Sequence, residues 1–162
     1  MKPIFVAAIA GPLAMFAITA RAFAWELVTP AEVARDRSAP RLPETLLPRA
    51  GAPNITRGLP RAGVPSIVLD QPNISSSIRT PVSFRIRFVA ASGTSIDVAT
   101  FKAQYGWMAL DITSRLLQHA RLTSIGLSAD DVEIPAGNHK VSLSIANNLG
   151  QVGEQVFEFT VK

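Results

Sequence analysis

Cysteine is absent from the 162-residue chain. That excludes disulfides, thiolate metal sites and a lipid anchor on a leader cysteine, so the fold must be held by its core alone. Histidine is scarce: His119 and His139 are the only two. Zinc asks for three protein ligands, typically with two His or Cys among them, and two histidines without a shared motif do not supply them. There is no G-x-S-x-G elbow, and Gly93 and Gly106 are isolated turn glycines, not a phosphate-cradling loop. No catalytic constellation stands out, so the expectation is a non-enzyme with no cofactor. A basic folded patch interleaved with aromatics is also missing, which argues against nucleic acid. No internal repeat is found.

What is present begins with a leader. Met1-Lys2 gives a positive start, an uncharged apolar run follows from Ile4 to Ala20, and Ala22 and Ala24 stand at −3 and −1 of a cut before Trp25. This is the signal-peptide pattern, and it predicts a periplasmic or secreted protein with residues 1–24 removed. The alternative is an uncleaved anchor. The run is a little short of the ~20 apolar residues that span a bilayer, and Gly11-Pro12 weakens a helix there. Without Lys2 and Arg21 the formal charge of +4 falls to +2, with 14 basic and 12 acidic residues. From Ser66 to Lys162 basic and acidic residues balance at eight each, so the excess sits in the preceding segment.

That segment, 25–65, carries Pro30, Pro40, Pro43, Pro48, Pro53, Pro60 and Pro65 with six arginines. Its apolar residues follow neither period 2 nor period 3.6. The expectation is a disordered, proline-rich flexible arm, because too little surface can be buried to offset about 1–2 kcal/mol of ordering cost per residue. Thr29–Arg35 could form a turn or two of helix, with Thr29 as N-cap and Pro30 at N1. The arm reads as a spacer, or else as a weak electrostatic tether to an anionic surface.

After Pro65 the texture changes. "VSFRIRFV" alternates strictly, with Val82, Phe84, Ile86 and Phe88 on one face and Ser83, Arg85 and Arg87 on the other, so it predicts a half-buried strand. "KVSLSIA" repeats the design with Val141, Leu143 and Ile145 inward, and "QVFEFTVK" does so with Phe157, Phe159 and Val161. "SIVLD", "ATFKAQYG" and "DVEI" are weaker strands, with another possible at "LTSIG". Turn residues separate them: Pro72-Asn73, Ser92-Gly93, Pro135-Ala136-Gly137 and Asn147-Asn148-Leu149-Gly150. "DITSRLLQHA" is the one helical candidate in this part, capped by Asp111 or Thr113. Short strands spaced about ten residues apart, with turns between, predict an all-β sandwich of about seven strands over 66–162, with one short helical turn.

Pro135, Gly137, His139, Val141, Leu143 and Ile145, with Gly150 and "VFEFTVK" after them, resemble the last two strands of bacterial immunoglobulin-like (cadherin- or fibronectin-III-like) domains of exported proteins. The resemblance spans roughly Pro65 to Lys162 and implies that fold. It carries over no catalytic residue. Asn147 and Asn148 stand where calcium-binding relatives use acidic turn residues, which argues against calcium.

Two clusters invite a search for chemistry. Asp130, Asp131 and Glu133 precede His139, and a turn between them could fold the ring back; the simpler expectation is a histidine at the start of a strand, bonded to a turn carbonyl. "QYGWMALD" places Tyr105 and Trp107 at the same parity, so a continuing strand would put both on one face as a partner or ligand contact. The ordinary alternative buries Trp107 in the core. Trp25 reads as a remnant of the export region. The functional expectation is an exported immunoglobulin-like binding or structural module, acting through protein contacts at the cell envelope by an edge strand or the Tyr105–Trp107 pair. Two alternatives stand beside it. One is a carbohydrate- or peptidoglycan-binding module that adds Gln104 and Asp111; the other is a domain tethered to the membrane on a proline-rich stalk. The partner is thus an unknown protein or an envelope glycan, and a membrane only where the leader stays uncut.

Overall fold

The structure is a computed structural model that describes residues 24–40 and 63–162. Residues 1–23 of the expected leader and residues 41–62 of the expected arm lie outside the described residues. Two sheets face each other as a sandwich. The first contains β1 (Trp25–Glu26), β2 (Ser66–Gln71), β3 (Val82–Val89), β6 (Ala120–Thr123) and β7 (Gly126–Glu133). Its order is β1-β7-β3-β2, with β6 also on β7. The second contains β4 (Ile96–Tyr105), β5 (Leu110–Asp111), β8 (Gly137–Asn147) and β9 (Val152–Val161), in the order β5-β4-β8-β9. Two helices, α1 (Pro30–Ser38) and α2 (Thr113–His119), complete the described elements. Setting aside the two-residue strands β1 and β5, seven strands carry the sandwich.

Alternation sets the core. Ile86 and Phe88 of β3 are buried, and Val82 and Phe84 pack against them. Val141, Leu143 and Ile145 of β8 and Phe157, Phe159 and Val161 of β9 enter from the other sheet. Each such side chain contributes roughly 1.5–3 kcal/mol of transfer free energy before entropy is charged. Along β7 and the residue after it the inward parity changes from Leu127 and Ala129 to Val132 and Ile134. One extra residue produces the change: the β3 register shifts between Val82 and Phe84, and Asp131 adopts φ +53°. A bulge of this kind lets Asp130 and Asp131 both stay outside while the strand continues to fill the core.

The expectation of a flexible arm over 25–65 is corrected for its first part. Trp25 and Glu26 pair in parallel with Val132 and Glu133, and Leu27, Val28 and Val33 are buried at 5%, 0% and 4% exposure. The α1 helix carries a full capping box, in which Thr29 Oγ1 accepts from Glu32 N while the Glu32 carboxylate accepts from Thr29 N. Pro30 sits in its first turn, where a missing N–H costs nothing. The segment shows no periodicity because Leu27 and Val28 are buried side by side in a bend and Val33 alone faces inward from the helix. Its order comes from tertiary partners, not from a repeating local pattern.

Candidate functional site

β4 ends at Tyr105, and the chain turns at Gly106 with φ +71°. The strand therefore does not continue, and the shared face expected for Tyr105 and Trp107 does not form. Tyr105 points into the core at 3% exposure and is not a contact residue; Trp107 stands outside at 57%. Burial of Trp107 in the core is likewise overturned, since the turn carries its side chain past the end of the sheet. Met108 and Leu110 follow at 64% and 40%, so the tip joining β4 to β5 presents three apolar side chains within four residues. Of the polar residues considered with the pair, Gln104 and Asp111 lie opposite each other on β4 and β5. Asp111 accepts a hydrogen bond from Thr113 N, yet neither it nor Thr113 caps α2: the N-cap is Ile112, which makes no side-chain cap bond.

The tip is held from a distant part of the chain. Asp36 Oδ1, near the end of α1, accepts hydrogen bonds from Trp107 N at 2.7 Å and Met108 N at 3.3 Å. A side chain at Gly106 would collide with the Asp36 carboxylate, so this turn needs glycine both for its positive φ and for this approach. The next residue, Arg37, donates from Nη2 to Ala136 O at 3.2 Å and fills the space beside Gly137. Asp36 and Arg37 thus close on two glycine turns at one end of the second sheet. The helix bearing them is anchored in turn by Arg115 of α2, which donates to both Glu32 oxygens at 2.8 Å and to Leu27 O at 2.9 Å. The Arg115 bonds hold the Glu32 carboxyl at about 2, well below its ordinary 4.5.

Beneath the tip lies His139. Its Nε2 is 2.7 Å from Pro135 O, and its Nδ1 is 2.8 Å from Tyr105 Oη. A carbonyl can only accept, so Nε2 carries the proton and Nδ1 accepts from the tyrosine hydroxyl. The ring is stacked on Phe159 at 5.7 Å between centroids. Burial lowers the His139 pKa and raises that of Tyr105 to about 12, so the pair is neutral at pH 7. The carboxylates that precede His139 point elsewhere. Asp130 pairs with Arg85 at 2.6 Å, and its backbone carbonyl accepts from Trp25 Nε1. Among the described residues no group of three or more His, Cys, Asp or Glu is placed to hold a metal. Trp25 is no remnant: its indole stacks on His119 with centroids 4.6 Å apart. Asn147 is spent on its own turn, accepting from Leu149 N and Gln151 N and donating to Gly63 O.

Alongside the tip runs a groove of about 720 Å³. One wall is Asp36 and Arg37; the other is the exposed run Ser75–Ser77. Its floor is the start of β8 and the end of β9, from Gly137 to Lys140 and Glu158 to Thr160. Trp107 borders it, with Lys140 Nζ 4.0 Å from the centre of the indole. The void between the sheets, about 40 Å³ and lined by aliphatic and aromatic side chains, offers a water no polar partner. Sequence reasoning missed the groove because its walls come from stretches with no motif between them. Of its lining residues, Trp107 and His139 were the ones singled out from the sequence.

Fold and site together define a two-sheet β-sandwich with a polar groove and an aromatic tip at one end. No family model matches the chain, and no curated protein does. Among solved structures it is similar to the crystal structure of CopC from Methylosinus trichosporium OB3b, at 18% identity and a TM-score of 0.38, covering 59% of this chain and 93% of that one. At that level the likeness says nothing about what either chain binds.

Proposed function

We propose that this protein is an exported, non-enzymatic immunoglobulin-like module that binds a protein partner at the cell envelope through the tip at Trp107, Met108 and Leu110. The observation that carries the reading is the joint exposure of these side chains, at 57%, 64% and 40%, on a turn fixed by the Asp36 carboxylate. A rigid aromatic anchor loses little entropy on binding, and clustered Trp and Met are favoured at the centres of interfaces. Non-enzymatic function is supported by His139, both of whose ring nitrogens are already bonded. Export is supported by the leader pattern. The expected cut before Trp25 spares β1, which begins at Trp25. An uncut leader would run straight into β1 with no stalk between, so a tether on a proline-rich stalk does not suit this fold.

A photoreactive residue at Met108 tests the reading in the exporting cell. The expected result is a discrete cross-linked species that is absent when the probe sits at Arg121, on the first sheet. Equal labelling from both positions, or none from Met108, would overturn it. Sequencing of the mature N-terminus should give Trp25 as the first residue; an intact leader would contradict export with cleavage.

A further inference from the structure

The groove beside the tip holds more hydrogen-bonding capacity than the fold uses. Lys140 makes no ion pair among the described residues, although Glu158 stands directly across from it on β9, and Glu158 makes none either. Arg37 spends one N–H on Ala136 O. Asn138, which lines the groove, accepts from Thr160 Oγ1 at 2.9 Å, and its amide N–H groups make no hydrogen bond among the described residues. The serine hydroxyls opposite are exposed. Donors and acceptors are thus interleaved along a cleft of about 720 Å³, within the range of small-ligand sites of about 300–1,000 Å³.

Charge narrows the ligand. The two cations, Arg37 and Lys140, are matched by two carboxylates, Asp36 and Glu158, so the groove has no net sign to select an ion. What suits separated charges of both signs is a neutral molecule dense in hydroxyls. Each hydroxyl can donate to a carboxylate and accept from an amide or ammonium, and the bonds to the charged groups are stronger than neutral pairs. An indole at the rim adds a surface for the apolar C–H face of a sugar ring. We infer that the groove is a binding site for a neutral saccharide, with Glu158 as acceptor, Asn138 and Lys140 as donors and Trp107 at its edge. This does not rest on the protein-binding role of the tip, and the two readings fail separately.

The test uses the mature chain and neutral oligosaccharides of glucose and of N-acetylglucosamine, followed by saturation-transfer NMR up to about 10 mM sugar, where weak single-site binding is still visible. Saturable binding is expected to at least one series. It should weaken about tenfold in Glu158→Ala and in Asn138→Ala, about 1.4 kcal/mol each, with unchanged melting temperatures because both side chains are exposed. It should change less than about twofold between about 50 and 500 mM salt, since no net charge is being paired. Leu110→Glu should leave sugar binding intact while abolishing the cross-link formed from a probe at Met108. No saturable binding to either series, binding that survives both groove variants, or binding of acidic saccharides alone with steep salt dependence would each overturn the inference.

Discussion

Replacing Glu32 with Gln isolates the charge that fastens the N-terminal segment. Glutamine can still serve a capping box, so the helix start is kept while the ionic pairing with Arg115 is lost. The fall of the Glu32 pKa from 4.5 to about 2 sets a ceiling of about 3 kcal/mol on the contribution of its ionised form. Its side chain is 18% exposed and that of Arg115 is 36% exposed, so solvent screening lowers the expected loss to about 2 kcal/mol. In a chain of this size that is a drop of about 4–8 °C in Tm. The pH dependence has a definite sign. Because the folded pKa is depressed, the stabilisation is complete above about 4.5 and disappears as the pH falls through about 2. Urea denaturation of both proteins at several pH values measures the difference. The two curves should lie about 2 kcal/mol apart at pH 7 and converge towards pH 2. A gap at pH 7 below about 0.5 kcal/mol, the range of an ordinary surface change, would refute the assignment of Glu32–Arg115 as the anchor of α1.

Four further outcomes follow from the same geometry. Tyr105→Phe leaves His139 Nδ1 buried without its donor and should cost about 1–2 kcal/mol in chemical denaturation. His139 itself should titrate below 6.5 by NMR, with stability falling as the pH drops below that value, because burial disfavours the charged ring in the folded state alone. Gly106→Ala combines strain at φ +71° with a collision against Asp36; a loss of about 1–3 kcal/mol and a shift in Trp107 fluorescence are expected. Removing residues 24–40 takes Leu27, Val28 and Val33 from the core at roughly 1.5–3 kcal/mol each. That is comparable with a whole domain's stability of about 5–15 kcal/mol, so calorimetry should find no cooperative transition.

The sandwich was legible because its pattern is local. Strict alternation in β3, β8 and β9 marks the inward side chains without reference to any partner, and the turn residues between mark where each strand stops. The capping signal at Thr29 and Pro30 was equally local, and a helix stands there. The leader was expected from the order of charge, apolar run and small residues, and its residues 1–23 lie outside the described ones. Parity, by contrast, failed at Tyr105 and Trp107. It holds only while a strand continues, and whether Gly106 continues or turns depends on a carboxylate 70 residues earlier in the chain.

Read along the chain, the residues establish that the domain is β-rich, which faces of its strands are apolar, and that no thiol chemistry is available. Periodicity and composition are summed over neighbours along the chain, so they need no third dimension. It takes the folded chain to show that residues 25–40 belong to the fold, that Tyr105 is core and Trp107 surface, and that His139 is bonded on both sides. Each of these depends on a pairing between distant residues: Trp25 with Val132, Asp36 with Trp107, Tyr105 with His139. Such pairs leave no local pattern, because burial and hydrogen bonding are satisfied across space and any stretch that brings the right group to the right place will serve.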